Sequence, residues 1–155
     1  MTPAIDKAKK AGITFFVHEY EHDPAAESYG MEAAEKLQIE PERVFKTLVV
    51  CCGGKDLTVA VLPVSKHLDM KLLAKAVGVK KVGMAEIGLV ERVTGYVVGG
   101  VSPLGQKKQL KTVIDSSAEA YATIFVSGGR RGVDIELSPD DLAKLTRADF
   151  ASVAK

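Results

Sequence analysis

A β-hairpin is the feature of this sequence that most limits what the chain can fold into. Residues 44–52 and 57–64 are two runs of mainly apolar, β-favouring residues, and the turn sequence Gly53-Gly54-Lys55-Asp56 separates them. This pattern predicts two antiparallel strands joined by a tight connection. Along the first run both faces of the strand are apolar, which is typical of a strand buried on both sides.

Short helices and short strands alternate around this hairpin. Capping residues predict a helix over residues 3–11 after Thr2 and another over 70–77 after Asp69. The remaining predicted elements are helices at 31–37, 85–92 and 139–145 and strands at 14–20, 81–84, 112–114, 123–127 and 133–137. We therefore predict that residues 1–155 form a single α+β domain, in which short helices flank a mixed, mainly antiparallel, barrel-like sheet.

The composition excludes several classes of protein. Hydrophobic residues make up 46% and charged residues 26% of the chain, which is the balance of a folded protein rather than a disordered one. No apolar run approaches the roughly 20 residues that a membrane helix needs. Residues 1–7 contain no apolar signal core. We therefore expect a cytoplasmic protein without a membrane partner.

Charge is distributed unevenly along the sequence. Residues 44–113 carry a net charge of +7, whereas residues 1–43 carry −4 and residues 114–155 carry −2. A basic middle on a nearly neutral chain suits binding to a polyanion. The alternative, which charge alone favours, is a solvated basic face. No helix-turn-helix pattern accompanies the basic residues, and this argues against a DNA-binding regulator.

Familiar catalytic motifs are absent or incomplete. Residues 100–104 lack the closing glycine of a nucleophile elbow, and Gln106 stands where a phosphate-binding loop needs lysine. The three histidines have no metal-ligand spacing, and the adjacent Cys51 and Cys52 do not form a CxxC motif. We therefore predict no metal site, no cofactor and no catalytic cysteine.

One lysine is unusual because of its neighbours. In the predicted strand, side chains alternate between faces, so Lys46 shares a face with Val44, Leu48 and Val50. A lysine in such an apolar stripe costs free energy unless its ammonium group reaches a carboxylate, water or an anionic ligand. The alternative is a lysine whose ammonium group extends to solvent at the start of the strand. This feature alone does not decide between the two.

Two glycine-rich segments can bring bare backbone close to a ligand. They are residues 99–105 and 127–132, and the second contains Arg130 and Arg131. Backbone N–H groups in such turns bind anions or a developing oxyanion, and the arginines suit a phosphate. The alternative is a pair of tight turns beside a solvated basic pair.

Several segments, taken together and in this order, resemble one protein family. They are residues 1–4, 18–24, 32–37, 44–48, 94–108 and 126–137, and they span nearly the whole chain. The glycine-rich motif at 94–108 is the most specific of them. On these residues the chain resembles the YbaK family of freestanding tRNA-editing proteins, also called cysteinyl-tRNA(Pro) deacylases. Arg130 and Met31 depart from residues common in the family, but neither departure touches the expected centre.

The resemblance implies a fold and an activity. The fold is a small, mixed, barrel-like sheet with flanking helices, as in the editing domain of bacterial prolyl-tRNA synthetases. The activity is removal, in trans, of cysteine that prolyl-tRNA synthetase has misattached to tRNA(Pro), because a pocket for proline cannot strongly reject a near-isostere. Cysteinyl-tRNA(Cys) is a second candidate substrate. The implied partners are therefore the acceptor end of tRNA(Pro) and prolyl-tRNA synthetase.

The family mechanism needs no enzyme nucleophile and no cofactor, because the thiol of the substrate attacks its own carbonyl and forms a cyclic thiolactone. By resemblance, Lys46 is the essential residue, and it would anchor the terminal ribose-phosphate or favour the anionic form of the substrate. Gly99 would position the ester or the thiol, and Asp134 would bind the substrate ammonium. The other implied substrate-binding residues are Tyr20, Tyr29, Thr47, Gly100 and Ser127, with Tyr29 near the terminal adenosine. The residues expected to hold the tRNA backbone are Lys107, Lys108, Lys111, Arg130 and Arg131.

Two other functions remain open at this point. The same fold could hydrolyse alanyl-tRNA(Pro) or another aminoacyl-tRNA with water as the nucleophile, since alanine has no thiol. The chain could also be a module that binds aminoacyl-tRNA or a synthetase without turnover. The presence of Lys46 and of both glycine segments argues against such a module.

Overall fold

The computed structural model describes residues 1–53 and 56–155. Five helices lie among these residues: α1 (Pro3–Ala11), α2 (Tyr29–Leu37), α3 (Met70–Val77), α4 (Ile87–Thr94) and α5 (Pro139–Thr146). The strands are β1 (Phe15–Glu19), β2 (Phe45–Cys51), β3 (Leu57–Pro63), β4 (Gly83–Met84), β5 (Lys111–Asp115), β6 (Ile124–Arg130), β7 (Val133–Leu137) and β8 (Asp149–Ala151). Short 3₁₀ turns lie at Pro41–Arg43 and Ser116–Ala120.

The strands form two sheets that meet at one point. The first sheet has the order β1-β7-β6 and is antiparallel, and the second has the order β4-β2-β3-β5-β8. In the second sheet β3 pairs with β5, and β5 with β8, in parallel. A parallel bridge between Val44 and Phe125 joins the start of β2 to β6. The predicted α+β fold, with its mixed and mainly antiparallel sheet, is confirmed.

The predicted hairpin is present as the β2–β3 pair. Its register runs from Phe45 opposite Pro63 to Cys51 opposite Leu57. The predicted turn includes residues 54 and 55, which lie outside the described residues. Most of β3 is fully buried, as expected for a strand that is covered on both faces.

Local capping explains where several helices begin and end. The Thr2 hydroxyl accepts a hydrogen bond from the Ile5 N–H, and the Asp69 carboxylate accepts from Lys71 and Leu72. Gly78 ends α3 in the left-handed conformation with φ 77°. Some boundaries were predicted wrongly. The helix α2 begins at Tyr29, two residues before the predicted start, because the Ser28 hydroxyl caps it. The helix predicted over 85–92 is α4, which runs from Ile87 to Thr94. The short strand β8 was not predicted.

The first sheet separates the main core from a second, more polar environment. Alternate residues of β7, such as Ile135 and Leu137, are fully buried in the main core together with Val126 of β6. Asp134 and Ser127 are directly opposite each other on neighbouring strands and share the other face of the sheet. That face looks toward α2 and the start of β2, and the candidate site lies there.

Among the residues that the structure describes, no helix combines the length and the apolar character needed to cross a membrane.

Candidate active site

A cavity of about 390 Å³ lies between β2, the start of α2, the β4–α4 connection and the first sheet. Most of the residues that the sequence singled out for the centre line this cavity. They are Lys46, Gly99, Tyr20, Tyr29, Thr47, Ser127, Asp134 and Arg130. The walls are otherwise mainly apolar, and a predominantly apolar cavity with a few polar groups is the usual form of a small-molecule site.

β2 supplies the wall that carries the lysine. The Lys46 side chain is half-buried, and its Nζ donates a hydrogen bond to the Lys66 backbone carbonyl at 2.7 Å. Burial lowers the pKa of this ammonium group below its usual value. Within the described residues no carboxylate lies at salt-bridge distance from it. The Lys46 ammonium group is therefore available to bind an anionic group that enters the cavity.

Thr47, the next residue of β2, adds an unusual polar atom. Its Oγ1 is buried, and no hydrogen-bond partner for it lies among the described residues. A buried hydroxyl without a partner is costly, and such groups are uncommon in folded proteins. Other atoms of Thr47 line the cavity.

Asp134 supplies the acidic group of the cavity. It lies on the central strand β7, between His18 of β1 and Ser127 of β6, and only 6% of its surface is exposed. Burial raises the pKa of its carboxyl group to about 7. Burial first, and then the nearby charge of Asp134, raise the pKa of Tyr20 to about 12, so this phenol remains protonated at neutral pH.

The contact between the two sheets places Lys46 near Ser127 and Asp134. Val44 of β2 bridges Phe125 of β6 in a parallel arrangement. Two residues further along both strands lie Lys46 and Ser127, and Ser127 is directly opposite Asp134. A basic and an acidic group therefore lie on the walls of one cavity, where a ligand with charges of both signs could contact each of them.

A glycine loop forms another wall of the cavity, and an arginine packs against this loop. Gly99 has φ 93°, and a Cβ atom there would lie 2.9 Å from the Tyr29 ring and 2.6 Å from Arg131 Nε. The Arg131 guanidinium donates to the Val98 carbonyl at 2.6 and 3.1 Å, and it stacks over the Tyr29 ring at 4.6 Å. Only glycine fits at position 99, and its bare backbone is therefore exposed to the cavity.

Gly100 does not line the cavity, although the sequence suggested it as a substrate-binding residue. It is buried, and a Cβ atom there would lie 2.6 Å from the Arg130 Cα atom. The glycine is needed because loop 97–101 packs directly on the backbone of the arginine turn. In this structure Gly100 contributes close packing beside the cavity, and its contact with substrate stays a prediction.

The residues predicted to hold tRNA are divided between two places. Arg130 is at the cavity, with a side chain 62% exposed and 3.9 Å from Glu19. Lys107 and Lys108 are exposed and follow the far end of α4, where their N–H groups donate to Thr94 and Val93. Lys111 begins β5, opposite Thr58 of β3. The three lysines do not line the cavity, and their contact with tRNA stays a prediction.

The sequence did not point to the apolar rim of the cavity. Met84 and Ile87 line it, and they are 53% and 61% exposed. Exposed large apolar side chains at the mouth of a cavity suit contact with a ligand rather than the core. Their positions in a two-residue strand and at the start of a helix gave no periodic signal, so only the folded structure identifies them.

A second buried carboxylate, Glu32, lies on α2 near the cavity but outside it. One oxygen lies 2.7 Å from His22 Nδ1, and the other accepts from the Asp23 N–H at 2.7 Å and lies 3.3 Å from Lys36 Nζ. The His22 ring packs against Tyr29 with centroids 5.7 Å apart. This cluster, here called the α2 cluster (His22, Asp23, Glu32 and Lys36), was also missed by the sequence patterns.

The lining residues contain no activated nucleophile with a histidine base. His18 Nε2 lies 2.9 Å from Glu136 and His22 is bonded to Glu32, and neither ring lines the cavity. The Cys52 thiol donates to the Thr58 hydroxyl at 3.2 Å, and neither cysteine lines the cavity. Among residues 1–53 and 56–155, no group of three metal-ligating side chains is close enough to hold an ion. The site therefore suits a substrate that carries its own nucleophile, or water.

Comparisons with known proteins agree with this architecture. The family of aminoacyl-tRNA editing domains matches residues 23–145 of the chain. EbsC of Enterococcus faecalis, named as a proposed Cys-tRNA(Pro)/Cys-tRNA(Cys) deacylase, is 47% identical over 120 residues, which are 77% of this chain and 73% of EbsC. The prolyl-tRNA editing protein ProX of Acetoanaerobium sticklandii is 25% identical over 135 residues, covering 83% of this chain and 80% of ProX.

The solved structures show the same fold. A protein described as a proposed trans-editing enzyme for prolyl-tRNA synthetase superposes with a TM-score of 0.85. The superposition covers 100% of this chain and 99% of that protein, with 24% sequence identity. At that identity the likeness shows the fold alone.

Proposed function

The chain belongs to the family of aminoacyl-tRNA editing domains, and on this premise we propose that it removes cysteine from cysteinyl-tRNA(Pro). The family membership makes it an aminoacyl-tRNA deacylase with tRNA as its partner. The observation that carries the choice of cysteine is the cavity itself. It offers Lys46, Asp134 and glycine backbone, but no nucleophile paired with a base among the lining residues.

The reaction that suits this cavity uses the sulfur of the substrate. The thiol attacks its own carbonyl carbon, so an S–C bond forms while the C–O bond to the terminal ribose breaks. The thiol proton ends on the released ribose hydroxyl, and the products are a cyclic thiolactone and free tRNA. The protein needs only to hold the cysteine in the folded geometry and to stabilise the charges that develop.

Each charged group in the cavity has a role in this scheme. Lys46 stabilises the thiolate or the terminal ribose-phosphate through its charge. Asp134 binds the substrate ammonium when its carboxyl group is ionised, and an incoming cation favours the ionised form. The exposed backbone of Gly99 positions the ester.

The same proposal includes a second substrate and a protein partner. Cysteinyl-tRNA(Cys) is a second substrate, because the cavity contacts only the aminoacyl end, which is common to both. Prolyl-tRNA synthetase is the partner that supplies the mischarged tRNA, because this small chain has little surface for reading a whole tRNA.

The deciding experiment compares cysteinyl-, seryl-, alanyl- and S-methylcysteinyl-tRNA as substrates of the purified protein. We expect cleavage of the free-thiol substrate alone, because a hydroxyl is almost wholly protonated at neutral pH, no histidine lines the cavity, and Asp134 is engaged by the substrate ammonium. Comparable rates for all four would replace cyclisation by hydrolysis with water, which is the alternative reaction of this fold. No cleavage of any of them would leave a module that only binds.

The same assay tests the lysine with a matched control. Lys46→Ala should abolish cleavage of cysteinyl-tRNA, whereas Lys66→Ala should not, because only the backbone carbonyl of Lys66 meets the Lys46 ammonium group. Near-normal turnover by a folded Lys46→Ala variant would show that the centre has been placed wrongly.

A further inference from the structure

The position of the Lys46 ammonium group depends on a segment that is remote from the cavity in sequence. Nζ donates to the Lys66 carbonyl at 2.7 Å, and Lys66 lies in the connection between β3 and α3. The lysine side chain is long and has several rotatable bonds, so one fixed acceptor strongly restricts where its charge can lie. Contacts that fix the backbone of residues 66–69 therefore also fix the position of the Lys46 ammonium group.

Residues 67–69, which directly follow Lys66, are held by residues 153–155, which we call the strap. The His67 N–H donates to the Lys155 carbonyl at 2.9 Å, and the Lys155 N–H donates back to His67 at 2.8 Å. Leu68 forms an antiparallel bridge with Ala154. The Asp69 N–H donates to the Val153 carbonyl at 2.8 Å. Consecutive residues of the segment are thus tied to consecutive residues of the strap.

The strap in turn is held by one buried carboxylate. Asp115, at the end of β5, is 6% exposed, and its Oδ1 accepts from the Val153 N–H at 2.9 Å and from the Ala154 N–H at 3.1 Å. The other oxygen accepts from the Ser117 N–H and hydroxyl. Charge-assisted hydrogen bonds to a buried carboxylate are among the stronger ones in proteins.

We propose that Asp115 is a positioning residue for the reaction: it holds the strap, the strap holds residues 67–69, and the adjoining Lys66 carbonyl holds the Lys46 ammonium group at the cavity. Asp115 does not line the cavity, so its role in the reaction is indirect. The inference rests on the role of Lys46 in the proposed function. A displacement of about 1 Å at a catalytic group can cost as much as a hundredfold in rate.

The test uses substitutions that separate the two oxygens of the carboxylate. Asp115→Ala removes the acceptor for the strap and should lower kcat for cysteinyl-tRNA by between about tenfold and a hundredfold, with KM little changed. Asp115→Asn keeps an oxygen for the strap and should restore most of the activity. Ser117→Ala loosens only the other oxygen and should leave kcat within about twofold of the wild type.

A second measurement does not depend on activity. Acetic anhydride acylates free amines, so the pH at which Lys46 becomes reactive, read by mass spectrometry of its peptide, reports the environment of this lysine. In Asp115→Ala the midpoint should shift upward, because a released side chain is better solvated. If wild-type protein fails to deacylate cysteinyl-tRNA but this shift is seen, the proposed function falls and the positioning stands.

Stability is controlled with a remote cap and a milder variant. Ser138→Ala removes the N-cap of α5, which should lower the midpoint of thermal unfolding without touching the strap. Lys155→Pro removes the N–H that donates to His67 and leaves Asp115 in place, and it should shift both readouts in the same direction as Asp115→Ala but less, even if Asp115→Ala does not fold. Unchanged kcat and labelling midpoint in the strap variants, or an equal loss of kcat in Ser138→Ala, would overturn the proposal.

Discussion

The cavity and the α2 cluster each contain a carboxylate with the same exposure, and the two behave oppositely. Asp134 and Glu32 are both 6% exposed. Burial raises the pKa of Asp134 to about 7. Burial would also raise that of Glu32, but hydrogen bonds from the Asp23 N–H, His22 and Lys36 lower its pKa below the usual value.

The difference shows how strongly hydrogen-bond partners affect the pKa of a buried acid. Glu32 has a donor for each of its oxygens, so its charge ties the segment before α2 to the helix. Among the described residues, no hydrogen bond lowers the pKa of Asp134. Its charged form is therefore available to bind a cationic ligand. One carboxylate is used for structure, and the other is kept available for binding.

The largest expected effect is on the pH dependence of stability at Asp134. Its pKa in the folded protein exceeds the unfolded value of 3.8, so folding is favoured most below about pH 4 and loses stability as pH rises to about 7. Asp134→Asn removes this loss and should be more stable than the wild type at pH 8 by a few kcal/mol. Urea denaturation at pH 4, 6 and 8 measures it, and parallel pH profiles for the two proteins would contradict the comparison.

The next effect is a loss of stability at Glu32. Glu32→Gln replaces charge-assisted hydrogen bonds by neutral ones and should cost about 2 kcal/mol at pH 7. Since the folded pKa is lowered, the stabilisation is present above the usual glutamate range and disappears as pH falls through the folded pKa. The deficit measured by urea denaturation should therefore shrink in acid. A variant as stable as the wild type at pH 7 would mean that the α2 cluster is not a structural unit.

The smallest effect should come from Lys36. Its Nζ lies 3.3 Å from Glu32, but its side chain is 36% exposed, so solvent screens the pair. Lys36→Ala should cost less than about 0.5 kcal/mol and leave deacylation unchanged. Comparing the thermal unfolding of Lys36→Ala with that of Glu32→Gln shows how much of the stabilisation by the α2 cluster depends on Lys36. A loss as large as that of Glu32→Gln would assign the stabilisation to the ion pair instead of to His22 and the backbone.

The sequence predicted those features that short segments determine. Thr2 and Asp69 mark their helices because a cap acts within one turn, and the alternation around Lys46 identified an unusual lysine on the cavity wall. Asp134 was identified only through the resemblance to a family, whereas Gly99 lies in a glycine-rich segment that the sequence itself indicated. Their spacing along the chain says nothing about a shared cavity, yet both line it.

The features that were not predicted depend on contacts between distant residues. Asp115 accepts a hydrogen bond from Val153, which lies 38 positions further along the chain. No local sequence pattern in either segment predicts this hydrogen bond. The start of α2 was missed because Tyr29 and Gly30 are weak helix formers, and the Ser28 cap outweighs that preference. The apolar rim at Met84 and Ile87 exists only because β4 pairs with the end of β2.

The parallel pairing of β3 with β5 and of β5 with β8 also sets the order in which the site can be made. Each of these pairs closes a long stretch of chain, so it must form against a large loss of chain entropy, and such contacts form slowly. On a ribosome, the segment that carries Lys46 is synthesised well before the strap that fixes it. The growing chain therefore contains Lys46 before the active site is ordered. It can cleave an aminoacyl ester only after the last strand has joined the sheet.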